Sequence, residues 1–116
     1  NQVVRGDDLI ASTFRQLDLI EALGGTPPQY AHVPLVCGPD GRRLAKRHGD
    51  TRIDFFREAG VPPEQLIGWA AWSAGLIDRW EKVAAKELVA EFSFARLRHE
   101  PTTVDAEVEG KLLEGL

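Results

Sequence analysis

Several absences bound this chain before any motif is read. It has one cysteine, Cys37, in 116 residues, which excludes an internal disulfide and any CxxC metal or redox pair. No apolar run approaches the ~18–20 residues that span a bilayer, and no secretory leader pattern opens the sequence. It has no surplus of positive charge either: 14 basic residues face 18 acidic ones, a net charge of −4. Such a balance argues against a generic nucleic-acid-coating protein. There is no internal repeat, no GxGxxG string and no linker long enough to divide the chain. What remains, 43% hydrophobic and 28% charged residues, is the composition of a soluble globular domain with one core.

The charge is unevenly placed. Between Asp40 and Arg52, the basic residues Arg42, Arg43, Lys46, Arg47 and Arg52 outweigh Asp40 and Asp50, so this window carries +3 and the remainder −7. After Arg98, Glu100, Asp105, Glu107, Glu109 and Glu114 face only Lys111, which predicts a solvated, frayed acidic end over residues 105–116.

Patterning supplies the elements. Residues 1–6 read as a short strand ending at a glycine turn. Asp8 to Leu23 reads as a helix, with Ile10, Phe14 and Leu17 at i, i+4 and i+7. Thr13 and Gln16 have capping-box spacing, so the regular helix is expected to start near Thr13. Gly24-Gly25 and Pro27-Pro28 end it. Val33–Cys37 suits a buried strand, with Pro34 at its start or edge, and Gly38-Pro39-Asp40-Gly41 is a turn. Thr51 to Gly60 predicts a short helix with Thr51 and Asp54 as its capping pair. Pro62-Pro63-Glu64 opens a further helix to Ala74, apolar almost all round and therefore buried. A last amphipathic helix over Val83–Phe92 is expected to bury Leu88, Val89 and Phe92, with Phe94 and Leu97 continuing the contact. Taken singly the polar residues are ordinary: Arg5 suits a salt bridge, and His32, His48 and His99 lack metal-like spacing. Cys37 suits a small buried hydrophobe, and the tryptophans suit a core.

In order, they resemble something specific. Val3-Val4-Arg5-Gly6-Asp7-Asp8-Leu9, Ser12-Thr13 with Arg15-Gln16, and Ala22-Leu23-Gly24 come first. Tyr30-Ala31-His32-Val33-Pro34-Leu35-Val36, Gly38-Pro39-Asp40-Gly41 and Arg43-Leu44-Ala45-Lys46-Arg47-His48-Gly49 follow. Then come Phe56-Arg57-Glu58-Ala59-Gly60 and Gly75-Leu76. This series is similar to the C-terminal part of a glutamyl-type class I aminoacyl-tRNA synthetase, densely over residues 1–76 and loosely over 77–104. Residues 43–47 align with the family's KMSKS loop, with Arg43 for its first lysine and Ala45 for its serine.

The resemblance implies an α/β fragment, mostly helical. Residues 1–52 would be the second half of a Rossmann-like nucleotide-binding fold, and 53–104 a helical stem-contact-like segment. It implies an ATP-dependent ligase that forms glutamyl-adenylate and transfers glutamate to tRNA. Lys46, Arg43 and Arg47 would act on the phosphates, and Arg5 would grip the carboxylate of glutamate. Asp8, Leu35, Val36, Leu44 and Lys46 would contact ATP. ATP with its magnesium is the expected nucleotide, with no metal site of the chain's own. Glutamate and tRNA are the other partners, and a cytoplasmic location is expected.

The family's HIGH signature is absent, so the chain is expected to lack the N-terminal half of the enzyme, to be inactive alone, and to expose an edge open to self-association. Gly60-Val61-Pro62-Pro63-Glu64 and Gly68-Trp69-Ala70-Ala71-Trp72 favour the short members of the family, which glutamylate the queuosine base of tRNA-Asp. The alternatives are members that charge tRNA-Glu, a non-catalytic synthetase-like module that docks tRNA or protein, and a helical domain whose likeness is coincidental.

Overall fold

A computed structural model describes residues 1–45 and 52–115. Strand β1 (Gln2–Gly6) leads through a 3₁₀ turn at Asp7–Leu9 into helix α1 (Ile10–Ala22). The chain returns as β2 (Gln29–Val33), parallel to β1 and in register from Gln2 opposite Gln29 to Gly6 opposite Val33. A parallel pair needs a crossover of this kind, because a hairpin can join only antiparallel strands. Two expectations change here. Thr13 is not the helix cap, since α1 begins at Ile10 and the Thr13 hydroxyl lies 3.1 Å from the Leu9 carbonyl. The strand expected over Val33–Cys37 is instead two: β2 ends at Val33, and β3 (Val36–Cys37) follows. Pro34, which cannot donate to a ladder, separates them.

The turn after β3 forms as expected. Gly41 takes φ +73° and its amide donates to the Gly38 carbonyl at 3.0 Å. The returning chain bridges Cys37 at Arg43, and the Leu44 amide donates to Val36 at 2.8 Å. Helix α2 (Ile53–Glu58) is shorter than predicted and has no side-chain cap at Arg52; Thr51 lies outside the described residues. Helix α3 (Pro63–Ser73) starts on its proline and stops at Gly75, φ +83°.

The helical core joins Phe56, Trp69, Val104 and Leu112, with Val36, Leu44, Leu66, Trp72 and Trp80 packed around them. Its most buried polar residue is Gln65, 1% exposed, whose side-chain amide donates to the Leu112 carbonyl at 2.6 Å. Helix α4 is only Ala85–Val89. Val89 is 76% exposed, and Phe92 and Phe94 are exposed as well. The apolar face expected there therefore does not enter the core, and the two phenylalanines pack edge to face on each other.

The acidic end is the largest correction. Thr102–Thr103 form β4, parallel to β3, and Ala106–Glu114 form helix α5. Asp105 accepts from the Val108 amide as its N-cap, a standard use of aspartate at the first turn. Leu112 is 2% exposed, so α5 is anchored where a frayed end was expected. Glu107 and Glu114 are exposed, and Glu107, hydrogen-bonded to Lys111 at 2.7 Å, holds that ammonium above its ordinary pKa.

Candidate functional site

Four of the sequence-derived candidates, Arg5, Asp8, Leu35 and Arg43, lie at the C-terminal end of β1. Strand alternation places Val3 and Arg5 on one face, and the register sets Tyr30 beside Val3 and His32 beside Arg5. The Arg5 guanidinium meets no carboxylate among the described residues. Its Nη2 donates to Thr13 Oγ1 at 2.7 Å, and its Nε donates to His32 Nε2 across a longer 3.4 Å. Thr13 Oγ1 and His32 Nε2 are 3.1 Å apart. The guanidinium carbon lies 4.9 Å from the centroid of the Tyr30 ring, within range for a cation–π contact. Its partners among the described residues are thus a hydroxyl, an imidazole nitrogen and an aromatic ring rather than a carboxylate.

Gly6 follows at the turn. A methyl group there would fall 2.6 Å from Asp8 Oδ1 and 2.9 Å from Leu35 Cδ2, so glycine is what lets Asp8 and Leu35 close around the strand end. Asp8 also accepts from Arg43 Nη1 at 3.0 Å. That ion pair ties the start of the KMSKS-like loop to the turn after β1, 35 residues earlier. The structure therefore brings Arg5, Asp8, Leu35 and Arg43 to one end of β1.

Val36 and Leu44 go elsewhere. Both pack against the helical core, and Leu44 lines an apolar cavity of about 500 Å³ with Ile53, Phe56 and Trp69. The Leu44 amide is bonded to the Val36 carbonyl. Lys46 and Arg47 lie outside the described residues. No three His, Cys, Asp or Glu side chains among the described residues gather to hold a metal. No helix among those residues is long and apolar enough to cross a membrane.

Sequence reasoning missed Thr13, Tyr30 and His32 as site residues. Thr13 was read as a cap and His32 as an ordinary surface or satisfied histidine. The available signal was a second strand over residues 29–33, whose alternation puts Tyr30 and His32 on the face that carries Arg5.

Comparison with known proteins gives this geometry a context. Residues 1–108 match the model of the catalytic domain of class I tRNA synthetases (E and Q). The chain is 54% identical over 112 residues to a glutamyl-Q tRNA(Asp) synthetase of Rhodopirellula baltica, covering 90% of this chain and 34% of that protein. It is 42% identical over 106 residues to glutamate–tRNA ligase 2 of Rhodospirillum centenum, covering 89% and 22% respectively. A solved glutamate tRNA ligase from Elizabethkingia meningosepticum, in complex with its amino acid, superposes with a TM-score of 0.72 at 28% identity. That match covers 93% of this chain and 25% of the ligase. The chain thus spans about a third or less of the length of these relatives. A match over nearly the whole chain, with the RGDD turn and the base of the basic loop joined in space, leads to one conclusion: the chain belongs to the glutamyl- and glutaminyl-type class I tRNA synthetase family.

Proposed function

We propose that this chain is the C-terminal part of the catalytic unit of a ligase that activates glutamate with ATP and transfers it to tRNA, with the queuosine base of tRNA-Asp as the favoured acceptor. The observation that carries this reading is the cluster at the end of β1, where an arginine with no carboxylate partner among the described residues sits near an acid bonded to Arg43. In the reaction, a carboxylate oxygen of glutamate attacks the α-phosphorus of ATP, the bond to the β-phosphate oxygen breaks, and pyrophosphate leaves. Little covalent work falls to the protein, so catalysis is positioning and charge stabilisation.

Arg5 supplies a planar donor for a carboxylate of glutamate. Asp8 faces the ATP ribose, with Leu35 beside it and the Leu44 carbonyl toward adenine. Lys46, Arg43 and Arg47 take the charge that builds on the phosphates. Arg43 and the ribose then share Asp8, so nucleotide entry loosens the Asp8–Arg43 pair. The chain lacks a HIGH string, and in this reading the remainder of the site comes from the other half of a nucleotide-binding fold.

The preference for tRNA-Asp is supported by the higher identity to the glutamyl-Q enzymes, 54% and 45%, than to the glutamate–tRNA ligase at 42%. Charging of tRNA-Glu is the second reading, supported by the solved neighbours. The test is glutamate-dependent ATP–pyrophosphate exchange by the protein that carries this chain, followed by charging of queuosine-containing tRNA-Asp against tRNA-Glu. Exchange that Lys46→Ala and Arg5→Ala leave unchanged refutes the site, and a preference for tRNA-Glu refutes the acceptor. A non-catalytic docking module would bind tRNA and show no exchange.

A further inference from the structure

We infer that Thr13 and a neutral His32 are positioning residues for Arg5: they occupy the Nε side of its guanidinium, so that the outer Nη1/Nη2 edge is presented to a carboxylate, and protonation of His32 undoes the arrangement. The inference rests on the reading of Arg5 as the glutamate-binding arginine and specifies what makes it competent.

The hydrogen count leads to this. A guanidinium has five N–H donors and no acceptor. Arg5 spends Nε–H on His32 Nε2 and one Nη2–H on Thr13 Oγ1. Both lie on one side of the planar group, and the Tyr30 ring lies against its face. The outward edge, Nη1 with the second Nη2–H, retains the fork that meets a carboxylate with two parallel bonds.

Thr13, buried in α1, accepts from Arg5, and its own hydrogen has two acceptors in reach: the Leu9 carbonyl and His32 Nε2, each at 3.1 Å. His32 Nε2 must present a lone pair to accept from Arg5, so the ring proton belongs on Nδ1. An imidazolium would turn an N–H toward the Arg5 N–H and set two cations side by side.

The surroundings do not relieve that conflict. Tyr30 is the near neighbour on β2 itself. Arg98 and His99 share with His32 a cavity of about 490 Å³ that also exposes Gln2 and Gln29. Asp7 and Asp8 lie on the turn that packs against β2, and Asp8 is bonded to Arg43.

Two measurements test the inference. Nitrogen-15 shifts of His32 in the chain should report the Nδ1–H tautomer at neutral pH; an Nε2–H tautomer overturns it. In the exchange assay with the protein that carries the chain, Thr13→Val and His32→Ala should raise the glutamate KM roughly tenfold, the scale of losing a hydrogen bond to a charged group, with a smaller change in kcat. Thr13→Ser and His32→Gln should recover most of that loss, because each restores an acceptor oxygen.

Equal KM values in all variants overturn the inference. Arg5→Ala separates the two levels. If it leaves KM unchanged, Arg5 does not bind glutamate and both ideas fall. If it abolishes activity while Thr13→Val and His32→Ala are silent, positioning alone fails. Circular dichroism of each variant identifies any that do not fold, and the tautomer measurement needs no variant.

Discussion

Gly6 and Gly68 are the two positions where adding one methyl group has a calculable consequence. At Gly68 the added carbon would sit 1.8 Å from the Glu81 backbone carbonyl oxygen, and backbone cannot rotate away. Gly68→Ala should therefore cost about 3 kcal/mol or more, at or above the upper end for overpacking, read as a lower urea midpoint. At Gly6 the nearest obstacles are the side chains of Asp8 and Leu35, which can turn aside. Gly6→Ala should cost less, roughly 1–2 kcal/mol, but should displace the Asp8 carboxylate from Arg43. Asp8→Asn makes the converse case. Arg43 is 65% exposed, and exposed ion pairs contribute less than ~1 kcal/mol, so the melting temperature should hardly move while the KM for ATP rises. At this scale the sequence singled out Arg5, Asp8 and Arg43 by residue type, and they lie together at one end of β1. It did not single out Thr13 and His32 as neighbours of Arg5, because those contacts come from a strand register and a helix start that no residue type announces.

Elements were legible where glycine and proline punctuate them. Gly24, Gly60 and Gly75 all take positive φ at helix ends, and Pro63 opens α3. The failures share one cause: tertiary contact outweighed local pattern. Leu88, Val89 and Phe92 are apolar at helical spacing, yet Leu88 is only half-buried, Val89 and Phe92 are exposed, and α4 is five residues long. The acidic end looked like a solvated tail because its charges were counted and Val104, Val108 and Leu112 were not. Those three, four residues apart, are the buried stripe that joins β4 and α5 to the core. Leu112→Ala should cost about 2–5 kcal/mol, the range for truncating a buried leucine, seen as a fall in the urea midpoint without a change in the far-UV spectrum of the folded state. Leu113, beside it and exposed, should tolerate alanine within about 0.5 kcal/mol. If the two substitutions cost the same, α5 does not dock as described.

For the whole molecule, shape and surface point the same way. The Cα radius of gyration is 16.4 Å, against roughly 13–14 Å for a compact chain of this length. Among the described residues the two sheets have two strands each, and both strand pairs are parallel; parallel strands ordinarily have both faces covered. Here Val4 is exposed on β1, and on or just after α1 Phe14 is 65% and Leu23 78% exposed. Self-association through this surface is the expected outcome at high concentration. Gel filtration should show an apparent mass that grows with loading, and Phe14→Glu should reduce that growth. A clean monomer at all loadings would count against it.

Cys37 gives the molecule a built-in chemical clock. It is the chain's sole cysteine, buried, bridged to Arg43 and paired with Thr103 across to β4. A thiol reagent in solution can reach it only when this junction opens, so the labelling rate counts those openings. If nucleotide draws the loop onto the site, saturating ATP should slow the modification of Cys37, while Leu112→Ala, which loosens α5 and with it β4, should speed it. One unmodified side chain then reports, in seconds or hours, on the opening of the junction where β3, β4 and the base of the basic loop meet.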